Sequence, residues 1–186
     1  MNRFALALLA FGFAAAASAQ TANPRVSIVT NQGEIVVELD AVKAPKSTEN
    51  FVQYVKAGQY DGTIFHRVID NFMIQGGGYT TELVPKGGLR PPVMNEADNG
   101  LSNMRGTLAM ARTMDPHSGT SQFFINVADN KALDHVSKAD GRTWGYAVFG
   151  KVVSGMEVVD KIKVMPTSAF SPEFPTLPRP YVVIEK

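Results

Sequence analysis

The side chains best suited to chemistry lie in two short blocks of the chain, residues 65–77 and residues 119–126. The blocks set a few polar side chains, Arg67, Gln75 and Gln122, among large apolar ones. The apolar side chains are Phe72, Met73 and Phe124. A guanidinium over an apolar, ring-sized pocket offers no nucleophile, but it suits an uncharged ring that carries a polarisable amide. The two blocks therefore predict a site for a prolyl peptide bond.

Arg67 also has an ordinary interpretation, because most arginines lie at the surface and pair with a nearby carboxylate. Gln75 favours the functional one, since a neutral amide can orient a guanidinium without neutralising its charge. On a strand, where side chains alternate, Phe65, Arg67 and Ile69 are predicted to share one face. Taken singly, Gln75 could be a surface residue and each apolar member a core residue. The assignment therefore depends on the whole set.

Three other chemistries fail on their context. Ser121 follows Gly119-Thr120, but the second glycine of a nucleophile elbow is missing and no strand-to-helix turn is predicted there. The three histidines show no close spacing of the kind that metal ligands have. The glycines at 76–78 lack the lysine and serine of a phosphate loop, and no helix is predicted after them. We therefore expect neither a metal nor a cofactor.

Composition and charge restrict the class of protein further. The chain has 186 residues, 45% of them hydrophobic and 19% charged, which suits one globular domain with a full core. No cysteine is present, so cysteine nucleophiles and cysteine metal ligands are excluded. With Arg3 removed, the 18 basic residues become 17 and equal the 17 acidic ones. A net charge near zero argues against nucleic-acid or lipid-surface partners and favours a monomer.

Residues 1–19 have the pattern of a secretory signal peptide. Arg3 gives a positive start, residues 4–13 form an apolar run, and Ala17-Ser18-Ala19 resembles a cleavage site. The apolar run is shorter than the roughly 20 residues that a membrane-spanning helix needs. The sequence therefore predicts a signal peptide at 1–19 and a single domain at 20–186. The expected location is the periplasm, with full secretion left open, and no membrane attachment is expected after cleavage.

Hydrophobic patterning predicts a mainly β fold. Helices are expected at 45–56, where Pro45 suits a first turn and residues 47–50 offer capping groups, and at 155–163. Eight short β segments are expected at 25–30, 34–39, 63–68, 72–75, 107–111, 122–127, 147–153 and 181–185. Residues 76–78 and 84–99 are predicted to be irregular loops, and 166–180 an ordered surface crossing. This pattern favours a closed antiparallel eight-stranded barrel capped by two helices.

The chain resembles the cyclophilin-type peptidyl-prolyl isomerases, in particular their bacterial exported form. The resemblance rests on Phe65-His66-Arg67 with residues 72–77, and on Ser121-Gln122-Phe123-Phe124-Ile125. It continues through residues 145–152 and covers nearly all of the chain after residue 19. The family fold, an eight-stranded antiparallel barrel with two capping helices, agrees with the strand count obtained from the patterning.

The resemblance implies a role for each matched residue. Arg67 would be the catalytic arginine, braced by Gln75. Gln122 and the backbone of Ala111 and Arg112 would hold the extended substrate chain. The proline pocket would be lined by Phe72, Met73, Phe124 and Leu133, with Tyr146 at the rim. Ala132 stands where many eukaryotic members carry a tryptophan important for cyclosporin, so weak cyclosporin binding is expected.

The expected activity is cis-trans isomerisation of prolyl bonds in unfolded or partly folded exported proteins, which would assist their folding. Rotation about an amide needs no covalent intermediate, so the lack of a nucleophile is consistent with it. The alternative is a binding module that recognises proline without turnover. Arg67 favours the enzyme, because binding alone would need the pocket but not the guanidinium. A hydrolase has neither a triad nor a metal cluster to support it.

Overall fold

The computed structural model describes residues 23–186 of the chain. The predicted signal peptide, residues 1–19, lies outside the described residues. From Asn23 onward, no helix is both long enough and apolar enough to cross a bilayer.

Eight strands form one closed barrel, which confirms the predicted architecture. The elements, in chain order, are β1 (Arg25–Thr30), β2 (Gly33–Leu39), α1 (Pro45–Lys56), β3 (Thr63–Ile69), β4 (Met73–Thr80), β5 (Thr107–Met110), β6 (Phe123–Asn126), β7 (Val148–Ser154), α2 (Met156–Lys163), β8 (Thr167–Ser168), β9 (Leu177–Pro178) and β10 (Val183–Ile184). Around the barrel the order is β1-β10-β3-β4-β6-β5-β7-β2, and every neighbouring pair is antiparallel. Strands β8 and β9 form a separate two-stranded sheet. They lie in the segment that was predicted to be an ordered crossing.

Both helices bury an apolar side against the barrel core. From α1, Phe51 enters the core and meets Phe149 of β7 with ring centroids 5.3 Å apart. From α2, Val159 and Ile162 are fully buried in the same core. Pro45 begins α1 as predicted, but no side chain of residues 47–50 caps that end of the helix. The Glu96 carboxylate does so instead, accepting hydrogen bonds from the backbone of residues 46 and 47 at 3.0 and 2.8 Å.

The prediction of an irregular loop at residues 76–78 is wrong, because β4 continues through these glycines to Thr80. Other groups closely approach the positions that β-carbons would take at Gly76 and Gly78. A β-carbon at Gly76 would lie 2.9 Å from the backbone oxygen of Ile64, and one at Gly78 would lie 2.6 Å from the Gln122 side chain. Glycine in a strand often marks such a close approach. The segment 84–99 is irregular, as predicted.

A β-bulge in β3 overturns the prediction that Phe65 and Arg67 share a face. Phe65 pairs with Gly76 and Arg67 pairs with Gln75, so His66 is an extra residue opposite a single step of β4. Phe65 is buried in the barrel core, whereas Arg67 reaches the outer face of the sheet. Bulges commonly redirect a side chain beside a functional site. Strict alternation would have turned Arg67 into the barrel.

Candidate active site

One cavity on the outer face of the barrel collects nine of the ten predicted site residues. Its volume is about 180 Å³. The lining residues are Arg67, Phe72, Met73, Gln75, Ala111, Arg112, Phe124, Leu133 and Tyr146. Gln122, the tenth predicted residue, does not line the cavity but contacts Gln75 from behind. The two sequence blocks therefore meet in space, because β4 pairs with both β3 and β6.

A polar chain crosses three neighbouring parts of the sheet. Gln75 accepts a hydrogen bond from Arg67 Nη1 at 3.4 Å and donates one from its Nε2 to Gln122 Oε1 at 2.9 Å. The first of these bonds is long and therefore weak, so it restrains the orientation of the guanidinium only loosely. All three side chains are half-buried. Within residues 23–186 no carboxylate lies within 4.0 Å of Arg67, so the charge that it brings to the cavity is not neutralised.

The floor of the cavity is apolar. Met73 and Phe124 are 1% and 4% exposed and belong to a small cluster that is separate from the barrel core. Phe124 meets Tyr146 edge to face, with ring centroids 5.7 Å apart. Phe72 stands at the other side, its ring centroid 5.9 Å from the Arg67 guanidinium carbon. A ring-shaped apolar group placed on this floor would lie beside that guanidinium.

Leu133 reaches the cavity from a short 3₁₀ turn, Lys131–Leu133, that the sequence did not predict. The turn is held by Asp134, whose carboxylate accepts hydrogen bonds from the Ser102 hydroxyl and from the backbone and side chain of Asn103. Burial would raise the pKa of Asp134, but these hydrogen bonds outweigh it and lower the pKa below its usual value. The backbone N–H of Tyr146 binds the Leu133 carbonyl at 2.9 Å, which ties the rim to the same turn. The sequence did not indicate this role of Asp134, because its partners Ser102 and Asn103 lie 32 and 31 residues away in the chain.

Arg112 contributes its side chain to the cavity, whereas the sequence had suggested only its backbone. Its guanidinium lies over the Tyr146 ring, 4.3 Å from the centroid. It donates hydrogen bonds to the carbonyl oxygens of Gly145 at 3.0 Å, Thr113 at 2.8 Å and Gly141 at 2.7 Å. Arg112 therefore fastens the loop that leads into Tyr146.

His66, the extra residue of the bulge, is 3% exposed and packs away from the cavity. Its ring meets Tyr79 and Phe174 edge to face, with centroids 4.8 and 6.1 Å away. Burial is the main reason that the pKa of His66 falls to about 4, and the charge of the neighbouring Arg67 lowers it further. A neutral imidazole therefore fills the space under the bulge that carries Arg67.

A larger cavity, of about 430 Å³, lies near the end of α1 and contains none of the predicted site residues. Its lining combines three aromatic, four aliphatic and four charged residues with Ser27 and Gly58. Size alone does not identify the site, since the smaller cavity is the one that combines an unneutralised guanidinium with an apolar floor. Across residues 23–186, no three His, Asp or Glu side chains are grouped so that they could hold a metal ion.

The fold and this cavity together define a class of protein. A closed antiparallel barrel carries, on its outer face, a guanidinium beside a ring-sized apolar pocket, with no nucleophile or metal cluster among the described side chains of the cavity. Such a site can bind and polarise a neutral group, and its lining contains no serine, threonine, lysine, histidine or carboxylate to act as a nucleophile. These features are those of an isomerase that acts without a covalent intermediate.

Comparisons with known proteins give the family. Residues 25–185 match the model of the family described as "Cyclophilin type peptidyl-prolyl cis-trans isomerase/CLD". The chain is 53% identical over 180 residues to peptidyl-prolyl cis-trans isomerase A of Dickeya dadantii (strain 3937), covering 97% of this chain and 90% of that protein. It is 51% identical over 160 residues to peptidyl-prolyl cis-trans isomerase B of Escherichia coli (strain K12), covering 86% and 96%.

A solved structure agrees with these relatives. The cyclophilin-type isomerase of Cryptosporidium parvum, crystallised in the presence of the dipeptide Ala-Pro, superposes with a TM-score of 0.70 at 27% identity. The match covers 88% of this chain and 96% of that one. The chain belongs to the cyclophilin-type peptidyl-prolyl cis-trans isomerase family, which confirms the predicted enzyme class. Its substrates are accordingly polypeptides that contain proline.

Proposed function

We propose that Arg67 catalyses rotation about prolyl bonds by binding the twisted amide more tightly than either planar form. The observation that carries this is the position of its guanidinium, unneutralised and half-buried beside the apolar floor of the cavity. Rotation is slow because it breaks the partial double bond, with a barrier of about 18–20 kcal/mol. In the twisted form the prolyl nitrogen regains a basic lone pair, which an N–H donor can bind. Such a bond stabilises the transition state selectively.

The surroundings of Arg67 would strengthen this effect. Seating the proline ring on Met73 and Phe124 displaces water that would otherwise stabilise the planar, more polar amide. Gln75, and Gln122 behind it, would keep the guanidinium aimed without neutralising it. A rate gain of about a hundred-thousandfold needs roughly 7 kcal/mol, which is the scale of one charged donor together with desolvation and orientation. Gln122 and the backbone at Ala111 and Arg112 would hold the flanking chain.

The experiment that tests this proposal is the Arg67→Ala substitution, followed by NMR exchange spectroscopy on a short Ala-Pro peptide. We expect kcat/KM to fall by about a hundredfold or more, because the donor to the prolyl nitrogen is gone. Arg90→Ala is the matched control, since Arg90 is exposed and lies outside the cavity; its turnover should equal that of the unmodified protein. Urea unfolding of both variants checks that the fold is kept. Full turnover in Arg67→Ala would refute the mechanism.

We further propose that the enzyme acts in the periplasm, as a monomer, on unfolded or partly folded exported proteins. The pattern of residues 1–19 and the near-zero net charge of residues 20–186 support this. Fractionation of cells that express the full chain would test the location, and sedimentation would test the oligomeric state. A slow refolding phase limited by proline, accelerated by the protein but not by Arg67→Ala, would test the folding role.

Weak cyclosporin binding is proposed as well. Ala132 is exposed beside Leu133, and its methyl group offers little surface to a large apolar ligand. We expect the inhibition constant of cyclosporin to lie well above the nanomolar range; a nanomolar constant would contradict this.

A further inference from the structure

The proposed active site carries two cations and no anion. Arg67 and Arg112 both line the cavity, and the other seven lining side chains are neutral. We propose that this pocket prefers prolyl bonds flanked by a carboxylate, an aspartate or glutamate directly before or after the proline. The inference rests on the proposed function, since it assumes that the prolyl ring occupies this cavity.

The charge of Arg112 is not neutralised by the groups that hold it. Its three hydrogen bonds are accepted by backbone carbonyl oxygens, which carry no formal charge. Within residues 23–186 no aspartate or glutamate lies within 4.0 Å of its guanidinium, as is also true of Arg67. Because three carbonyls and the Tyr146 ring fix the guanidinium, little side-chain entropy remains to be lost when a substrate carboxylate arrives.

The acidic residues near Arg112 direct their carboxylates elsewhere: Asp115, three residues later in the chain, accepts the backbone N–H of His117 at 2.9 Å. Both oxygens of the Asp134 carboxylate accept hydrogen bonds from Ser102 and Asn103, which hold the 3₁₀ turn in place. Asp140, beside one of the carbonyls that bind Arg112, accepts the backbone N–H groups of Arg142 and Thr143 at 2.8 and 3.0 Å.

The other charged groups near the site also leave the two guanidiniums without a carboxylate partner. Asp70, at the end of β3, lies 3.4 Å from Lys163 Nζ. Lys131, at the start of the 3₁₀ turn, adds a further exposed positive charge near Leu133. Since the lining contains two guanidiniums and no carboxylate, a flanking carboxylate of the substrate would meet positive charge inside the cavity.

The expected effect is moderate, because both guanidiniums are partly exposed to solvent. An ion pair of this exposure changes an equilibrium by about 1.4- to 5-fold. We therefore expect kcat/KM for a glutamate-flanked peptide to exceed that of the alanine peptide by about threefold, and a lysine-flanked peptide to fall below it by a similar factor. The ratio of glutamate to lysine should be about tenfold at 10 mM ionic strength. It should approach one near 1 M salt, where the screening length is about 3 Å.

The test uses the purified protein and two series of short peptides that differ only in the residue before or after the proline. Each series contains glutamate, alanine and lysine, and NMR exchange spectroscopy measures kcat/KM without a coupling protease. A glutamate-to-lysine ratio well above one in either series, decreasing with salt, supports the inference. Ratios near one in both series overturn it, while turnover of the alanine peptides still upholds the proposed function. Failure to turn over any peptide overturns both.

Substitutions assign the preference to Arg112. Arg112→Gln removes the charge and should reduce the glutamate-to-lysine ratio by about threefold, whereas Arg112→Lys keeps the charge and should keep most of the ratio. Both variants weaken the bonds to the loop, so the ratio within each variant, rather than its absolute turnover, is the readout. Lys43→Gln is the control for net charge, since Lys43 is exposed and outside the cavity. An unchanged ratio in Arg112→Gln, or an equal loss in Lys43→Gln, would contradict the inference.

Discussion

A single methyl group at Gly78 should disturb catalysis without touching the pocket. Gly78 lies in β4, and its backbone does not adopt a positive φ, so alanine fits the local conformation. The added β-carbon would lie 2.6 Å from the Cγ, Cδ and Nε2 atoms of Gln122. Those atoms belong to a flexible side chain, which can swing away more easily than the strand can move. Gly78→Ala should therefore displace Gln122 from its bond to Gln75.

The magnitude follows from the bond that is lost. Gln75 Nε2 and Gln122 Oε1 are 2.9 Å apart, a distance typical of an ordinary hydrogen bond between neutral groups. Such a bond contributes about 0.5–1.5 kcal/mol net, which corresponds to roughly a 2- to 13-fold change in rate if it serves only to keep Arg67 aimed. We expect kcat/KM to fall within this range. The free energy of unfolding should change by less than about 1 kcal/mol, since no core side chain is removed.

NMR exchange on an Ala-Pro peptide, together with urea unfolding, measures both quantities. Gly87→Ala is the matched control, because no heavy atom lies within 4 Å of a β-carbon there and φ is not positive. The sharper check is to repeat Gly78→Ala in a Gln122→Ala background, where the methyl group has no side chain to displace and should cost nothing further. Wild-type turnover in Gly78→Ala, or the same loss in the Gln122→Ala background, would refute the reasoning.

Two further predictions concern buried rings. Phe124→Ala should cost about 3–5 kcal/mol of unfolding free energy and raise KM, since Phe124 is 4% exposed and forms part of the pocket floor. Urea unfolding measures the first effect and peptide kinetics the second. Phe170→Ala is the control and should cost far less, because the Phe170 ring is 61% exposed. His66, with a pKa of about 4 when folded and about 6.5 when unfolded, binds its proton more readily in the unfolded chain. Stability should therefore fall by up to about 3 kcal/mol as the pH drops from 6.5 to 4, and His66→Phe should remove that part of the pH dependence; an unchanged slope of urea-unfolding stability against pH would contradict this.

The sequence predicted which residues would lie together better than it predicted the directions in which their side chains point. Period-two patterning located β3, β4 and β6, and the resemblance named the lining of the pocket. The bulge at His66 could not be predicted, because it depends on how β3 registers against β4 rather than on either strand alone. The glycines of β4 were misread for a similar reason. Glycine usually marks a turn, and only the approach of the Ile64 backbone oxygen to Gly76 shows why the strand needs a glycine there.

The site divides into a part built on strands and a part built on turns, and this division separates rate from preference. Arg67, Gln75 and Gln122 are aimed by hydrogen-bonded neighbours in the barrel, whose register a surface substitution hardly alters. Leu133 and Arg112 depend instead on a 3₁₀ turn and a loop, tied down by Asp134 and by carbonyl contacts. Changes in residues 135–144 should therefore shift which flanking residues are accepted, while the guanidinium keeps its orientation. If the proposed mechanism holds, variation in that loop would alter which prolyl peptides are accepted and leave the proposed role of Arg67 intact.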